Sequence, residues 1–114
     1  MTQISTHVLD TALGTPAKDV PVLLESQESS GEWRRIGSGR TGEDGRCGQL
    51  LQPGEQLSSG IYRLVFDTGT YYSEQGVQGL YPVVQVIFSV RDGDMHFHIP
   101  LLLSPHGYTT YRGS

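Results

Sequence analysis

The sequence predicts an all-β protein, a sandwich of two sheets carrying one short helix. Three observations lead there. Apolar residues recur with period two over most of the chain, which is the mark of half-buried strands. Fifteen glycines and six prolines among 114 residues punctuate the chain too often for long helices. The resulting strand candidates are short, and turn signals separate them in the manner of a sandwich.

Taken in order, Ile4, Thr6 and Val8 share one face of a first strand, with Ser5, His7 and Leu9 on the other. Val20 to Glu25 reads as a second, where Val20, Val22 and Leu24 alternate with Pro21 and Leu23 and the proline suits a strand end or an edge. Glu32 to Ser38 forms a third, anchored by Trp33 and opened by the turn-like Ser29-Ser30-Gly31. Thr41-Gly42-Glu43-Asp44-Gly45-Arg46 is a turn with glycines where the backbone needs positive φ. Ile61 to Asp67 is a strand that turns Tyr62, Leu64 and Phe66 one way and Ile61, Arg63 and Val65 the other.

The helix is expected over Thr70 to Gln78, two turns at most, capped by Thr70 and ended by Gly76 or Gly79. Val83 to Val90 is more continuously apolar, which predicts a central strand. Arg91-Asp92-Gly93-Asp94 should close a hairpin onto Met95 to Leu101 through its Asp-Gly turn. Tyr108 to Arg112 reads as a last strand, rich in Thr and Tyr. No repeat or linker divides the chain, so residues 1–114 are expected to form one domain.

Composition narrows the function. A net charge of −4 and a pI near 5.4 remove the electrostatic case for binding nucleic acid or an anionic membrane. A single cysteine, Cys47, excludes an internal disulfide framework and a zinc-thiolate centre, and its place at a strand start suggests a buried, inert thiol. No run approaches the roughly 18 apolar residues of a membrane helix. The segment from Met1 to His7 has neither the basic start nor the apolar stretch of a signal peptide, so a cytoplasmic protein is expected.

The candidates for chemistry are few. His96 and His98 are two apart on one strand and therefore share a face, opposite Met95, Phe97 and Ile99. With the apolar set turned into the sandwich, both imidazoles stand on an outer sheet face. That face is either simply solvated or covered by something else. An imidazole there can exchange a proton near neutral pH. A His-x-His pair with a third histidine can also hold zinc, but nothing around His7 supplies a second local ligand, and no essential metal is expected. Arg46, ending a turn, is either a solubilising residue or a clamp for a planar anion or carbonyl. Asp10, Asp19, Glu43 and Asp44 read as turn and cap residues. The terminal Tyr108-Thr109-Thr110-Tyr111-Arg112-Gly113-Ser114 gathers hydroxyls, aromatics and a cation where chains usually fray.

Several of these segments, in order along the whole chain, resemble the transthyretin-related 5-hydroxyisourate hydrolases. They are Ser5-Thr6-His7-Val8-Leu9-Asp10, Gly42-Glu43-Asp44-Gly45-Arg46, His96-Phe97-His98-Ile99-Pro100-Leu101-Leu102-Leu103-Ser104-Pro105 and the terminal Tyr111-Arg112-Gly113-Ser114. The resemblance implies a transthyretin-like sandwich of two four-stranded sheets with one short helix. It implies a homotetramer, a dimer of dimers whose sites lie between outer sheet faces. It implies hydrolysis of a ring amide of 5-hydroxyisourate to 2-oxo-4-hydroxy-4-carboxy-5-ureidoimidazoline in urate degradation, without a cofactor. Carried over by motif, His7, Arg46, His98 and Ser114 would be catalytic, and His7, Arg46, Tyr111, Arg112 and His96 would bind substrate. Which histidine is the base stays open. The competing reading is a transthyretin-like carrier of a small aromatic hormone; such carriers lack this histidine–arginine set and the terminal tetrapeptide.

Overall fold

A computed structural model describes residues 3–51, 55 and 57–114; Met1 and Thr2 of the N-terminal segment lie outside it. Among the described residues, nine strands and one helix follow in the order β1 (Gln3–Asp10), β2 (Thr15–Pro16), β3 (Pro21–Gln27), β4 (Trp33–Arg40), β5 (Arg46–Cys47), β6 (Gly60–Phe66), α1 (Thr68–Glu74), β7 (Val84–Val90), β8 (His96–Ser104) and β9 (Gly107–Thr110). One sheet has the order β2-β1-β8-β9, with the two-residue β5 also paired to β1; the other has the order β4-β3-β6-β7. The expected pair of four-stranded sheets thus gains a fifth, very short strand on one side.

Period-two alternation builds the core directly. Ile4, Thr6 and Val8 of β1 and Phe97, Ile99 and Leu101 of β8 are buried. They meet Val22, Leu24, Leu64 and Phe66 from the facing sheet in one apolar cluster. Burying each such side chain contributes roughly 1.5–3 kcal/mol. Thr6 is the polar member of this set, and its hydroxyl donates to the Ile99 carbonyl at 2.5 Å, which removes the penalty of a buried hydroxyl. Cys47 is buried, and burial pushes its thiol above the ordinary value, as an inert thiol requires.

The structure corrects five expectations. Val84–Val90 is an edge strand, not a central one. Its apolar run misleads because Ile87 sits on the outer face, 59% exposed, while Val84 and Val90 are buried. Arg91 to Asp94 does not close a hairpin: β7 and β8 belong to different sheets, and the turn, with Gly93 at φ +90°, crosses from one to the other. Met95 beyond it is exposed rather than turned into the sandwich.

The helix starts two residues early, because Asp67 is the better cap. Its carboxylate accepts the Thr70 N–H at 3.0 Å and the Thr70 hydroxyl at 2.7 Å. Gln75 closes α1, and Gly76 at φ +68° carries the chain away. Finally, the last strand ends at Thr110, so Tyr111 and Arg112 fall outside it.

Candidate active site

The site is assembled on the outer face of the β1–β8 pair. These strands are parallel, with Ser5 opposite His98 and His7 opposite Pro100. Alternation sends Ser5, His7, His96 and His98 outward because their neighbours fill the core. Ser5 Oγ and His98 Nδ1 stand in hydrogen-bond contact at 2.9 Å. His7 follows Ser5 on the same face, about 7 Å farther along the strand.

Arg46 arrives from the other side. The turn before it is closed by Gly45 N–H to the Gly42 carbonyl at 2.9 Å, and Asp44 Oδ1 accepts the Arg46 N–H at 2.9 Å. Gly45 has φ +78°, and a Cβ there would strike the Val8 carbonyl oxygen and Pro16, so the turn requires glycine. The backbone then pairs Arg46 with His7 and Cys47 with Thr6. The turn also fixes His7, whose Nε2 donates to the Asp44 carbonyl at 2.8 Å. Among the described residues the guanidinium of Arg46 is held only by a 3.9 Å ion pair to Asp44, and it remains 58% exposed.

The chain end supplies the third side. The Gly113 N–H donates to the His98 carbonyl at 2.6 Å, a lone bridge that lays the tail beside β8. A Cβ on Gly113 would come 2.5 Å from His98 Cδ2, so only glycine fits against that ring. An open groove of about 540 Å³ results, lined by Gln3, Ser5 and Arg46 on one side of the sequence and by His96, Phe97, His98, Arg112, Gly113 and Ser114 on the other.

His98 titrates below the ordinary imidazole value of 6.5. Burial is the main cause, and electrostatic repulsion from Arg46 and then from the His7 ring adds to it. Near pH 7 it is therefore neutral, with a lone pair available.

Arg46, His98, Ser114, Arg112 and His96 are thus brought to one groove. His7 stands beside Arg46 on the same face. Tyr111 is turned elsewhere, into an apolar groove with Val86, Phe88 and Ile99. Sequence reasoning missed Ser5, Gln3 and Gly113 as parts of the site. Alternation already put Ser5 on the face of His7, but only the parallel register of β1 with β8 sets it against His98. Among the described residues, no group of three or more His, Cys, Asp or Glu is arranged to hold a metal ion, and no helix is long and apolar enough to cross a membrane.

Comparison with known proteins agrees with this architecture. The family model described as HIUase/Transthyretin family matches residues 4–113. The 5-hydroxyisourate hydrolase of Mus musculus is 46% identical over 112 residues, covering 97% of this chain and 94% of its own. The structure of Klebsiella pneumoniae 5-hydroxyisourate hydrolase matches with a TM-score of 0.85 at 35% identity, over 100% of both chains. Sea bream transthyretin, solved in complex with thyroxine, matches with a TM-score of 0.89 at 33% identity, over 96% of this chain and 93% of its own. With a family model spanning nearly the whole sequence and relatives this similar, the chain belongs to the HIUase/Transthyretin family.

Proposed function

We propose that the protein hydrolyses 5-hydroxyisourate, opening a ring amide to give 2-oxo-4-hydroxy-4-carboxy-5-ureidoimidazoline in urate degradation. One observation carries the reading. A neutral imidazole, His98, stands on an outer sheet face with one nitrogen engaged by Ser5 and an under-paired guanidinium beside it. A carrier of apolar hormones has no use for that combination, so the fold it shares with a transthyretin does not decide the function.

Chemistry follows from hydrogen-bond roles. With Nδ1–H of His98 donating to Ser5 Oγ, Nε2 keeps its lone pair and takes a proton from water. The water oxygen bonds to the ring carbonyl carbon, the carbon–nitrogen bond breaks, and the leaving nitrogen receives the proton. A positioned base of this kind contributes about 10²–10⁴-fold. His7 commits its Nε2 proton to the Asp44 carbonyl, so its Nδ1 is the free acceptor that orients water or relays the proton. Arg46 holds the heteroatom edge of the substrate and the developing oxyanion, worth a few kcal/mol when donors are fixed. Ser114 lines the groove, where its hydroxyl holds the water. His96 is the more exposed of the two β8 imidazoles, a contact for the substrate rim.

The groove is open on an outer face, and a homotetramer pairing such faces would close it and exclude water. Tyr111 would then meet substrate only through such an assembly.

The test is to mix the protein with freshly generated 5-hydroxyisourate and follow its ultraviolet decay across pH. Faster decay is expected, with kcat/KM falling as pH drops through a midpoint below about 6.5, since protonation of His98 removes the base. Turnover should survive EDTA. Unchanged decay would overturn the reading, as would loss under EDTA that zinc restores.

A further inference from the structure

The last residues leave β9 and return to β8. Thr110 pairs with Leu101, the ladder breaks at Tyr111 and Arg112, and pairing resumes in the same register between Gly113 and His98. One backbone hydrogen bond is a weak hold for a chain end. The stronger hold is the residue just before it. Arg112 Nη2 donates to the His96 carbonyl at 3.1 Å and stands 3.9 Å from Asp94 Oδ1, while the guanidinium lies 4.7 Å over the Phe97 ring.

Asp94 is itself fixed. Its Oδ2 accepts the Arg91 N–H at 3.0 Å, and its own N–H donates to the Arg91 carbonyl at 3.1 Å. The crossover between the sheets therefore keeps one carboxylate oxygen for its own turn and offers the other to Arg112. Placement of the tail is demanding, because Gly113 lies so close to the His98 ring that even a Cβ does not fit. A small slip would move Ser114 relative to the imidazole.

We infer that Asp94 and Arg112 form a latch that positions Gly113-Ser114 on His98. Asp94 is then a positioning residue for the reaction, and Arg112 acts through the tail rather than by clamping substrate. The effect on turnover rests on the proposed hydrolase reading; the latch itself does not.

The experiment measures solvent exchange of the Gly113 amide by NMR in the full chain, together with kcat and KM. It compares Asp94→Asn, Asp94→Glu, Arg112→Gln and the double variant Asp94→Asn/Arg112→Gln. Arg112 is exposed and Asp94 half-buried, so the pair is weak, and Asp94→Asn should speed exchange about threefold and lower kcat by a similar factor at unchanged KM. Arg112→Gln also loses the ring and the carbonyl, and about tenfold is expected. The double variant should be no worse than Arg112→Gln, and Asp94→Glu should restore both readouts. Unchanged Gly113 exchange in both single variants would overturn the latch. A raised KM with intact kcat in Arg112→Gln would return that residue to substrate binding and overturn it too. If the parent protein leaves 5-hydroxyisourate untouched, the hydrolase reading fails, and the exchange rates alone decide the latch.

Discussion

The outer faces of the two sheets each carry a cross-strand arginine, and the two are treated very differently. Arg63, on β6 opposite Glu25 of β3, sends both Nε and Nη2 to Glu25 Oε1 at 2.7 Å and stacks its guanidinium 4.2 Å over Trp33. Only 17% of its side chain is exposed. Arg46, opposite His7, has a well-fixed backbone and a guanidinium whose ion pair among the described residues is a long one, 3.9 Å to Asp44. A satisfied arginine is part of the fold, since its donors are already engaged. An arginine held by its backbone and left short of partners has donors to offer a ligand. The same contrast separates His98, kept neutral and tied at one nitrogen, from an ordinary surface histidine.

The largest effect expected from this contrast is on turnover. His98→Ala and Arg46→Gln should each lower kcat about 10²–10⁴-fold while leaving the thermal midpoint within a degree or two of the parent. Steady-state kinetics beside a melting curve checks both halves. Retained turnover in either variant would put the chemistry elsewhere, and a collapsed melting curve would make the outer face of the first sheet structural.

Arg63→Gln should do the reverse. It leaves the Glu25 carboxylate half-buried without its cation. The penalty, between that of an exposed pair and that of a fully buried one, is about 2 kcal/mol. Urea unfolding should show the loss, with kcat unchanged. If turnover fell with stability intact, the second sheet would have a part in the reaction that its satisfied geometry does not suggest.

Much of this was legible in the chain. Alternation put Ile4, Thr6 and Val8 inside and His7, His96 and His98 outside, because a strand whose apolar residues fill a core has one place left for the others. Gly42 to Arg46 was readable as a turn that aims its last residue. Pairing was harder. Nothing in Ser5-Thr6-His7 says that β1 runs parallel to β8, and without that register Ser5 has no visible link to His98. The turn at Arg91 to Asp94 has hairpin chemistry yet joins two sheets, since a local turn signal carries no record of which sheet the next strand enters. The two-residue β2 and β5 are too short to leave a period. The latch on the tail depends on Asp94 and Arg112 meeting across seventeen intervening positions of strand and turn, a matter of tertiary placement alone.

The smallest expected effect tests the same contrast inside the core, between neighbours on α1. Tyr71 and Tyr72 are both buried, pack edge to face with ring centres 5.2 Å apart, and have phenols pushed up to about 12, chiefly by burial. The Tyr71 hydroxyl donates to Asp10 Oδ2 at 2.7 Å, and Asp10 Oδ1 accepts the N–H groups of Ala12 and Leu13 at 3.0 Å. The Tyr72 hydroxyl has no hydrogen-bond partner among the described residues. Tyr71→Phe takes a donor from a buried carboxylate and should destabilise by about 1.5–3 kcal/mol. Tyr72→Phe deletes a hydroxyl that was desolvated without return, so it should be neutral or stabilise by up to about 1 kcal/mol. Paired urea melts decide the matter. Equal losses in the two variants would mean that the Tyr72 hydroxyl finds a partner in solution, and burial alone would then not tell a satisfied phenol from an unsatisfied one.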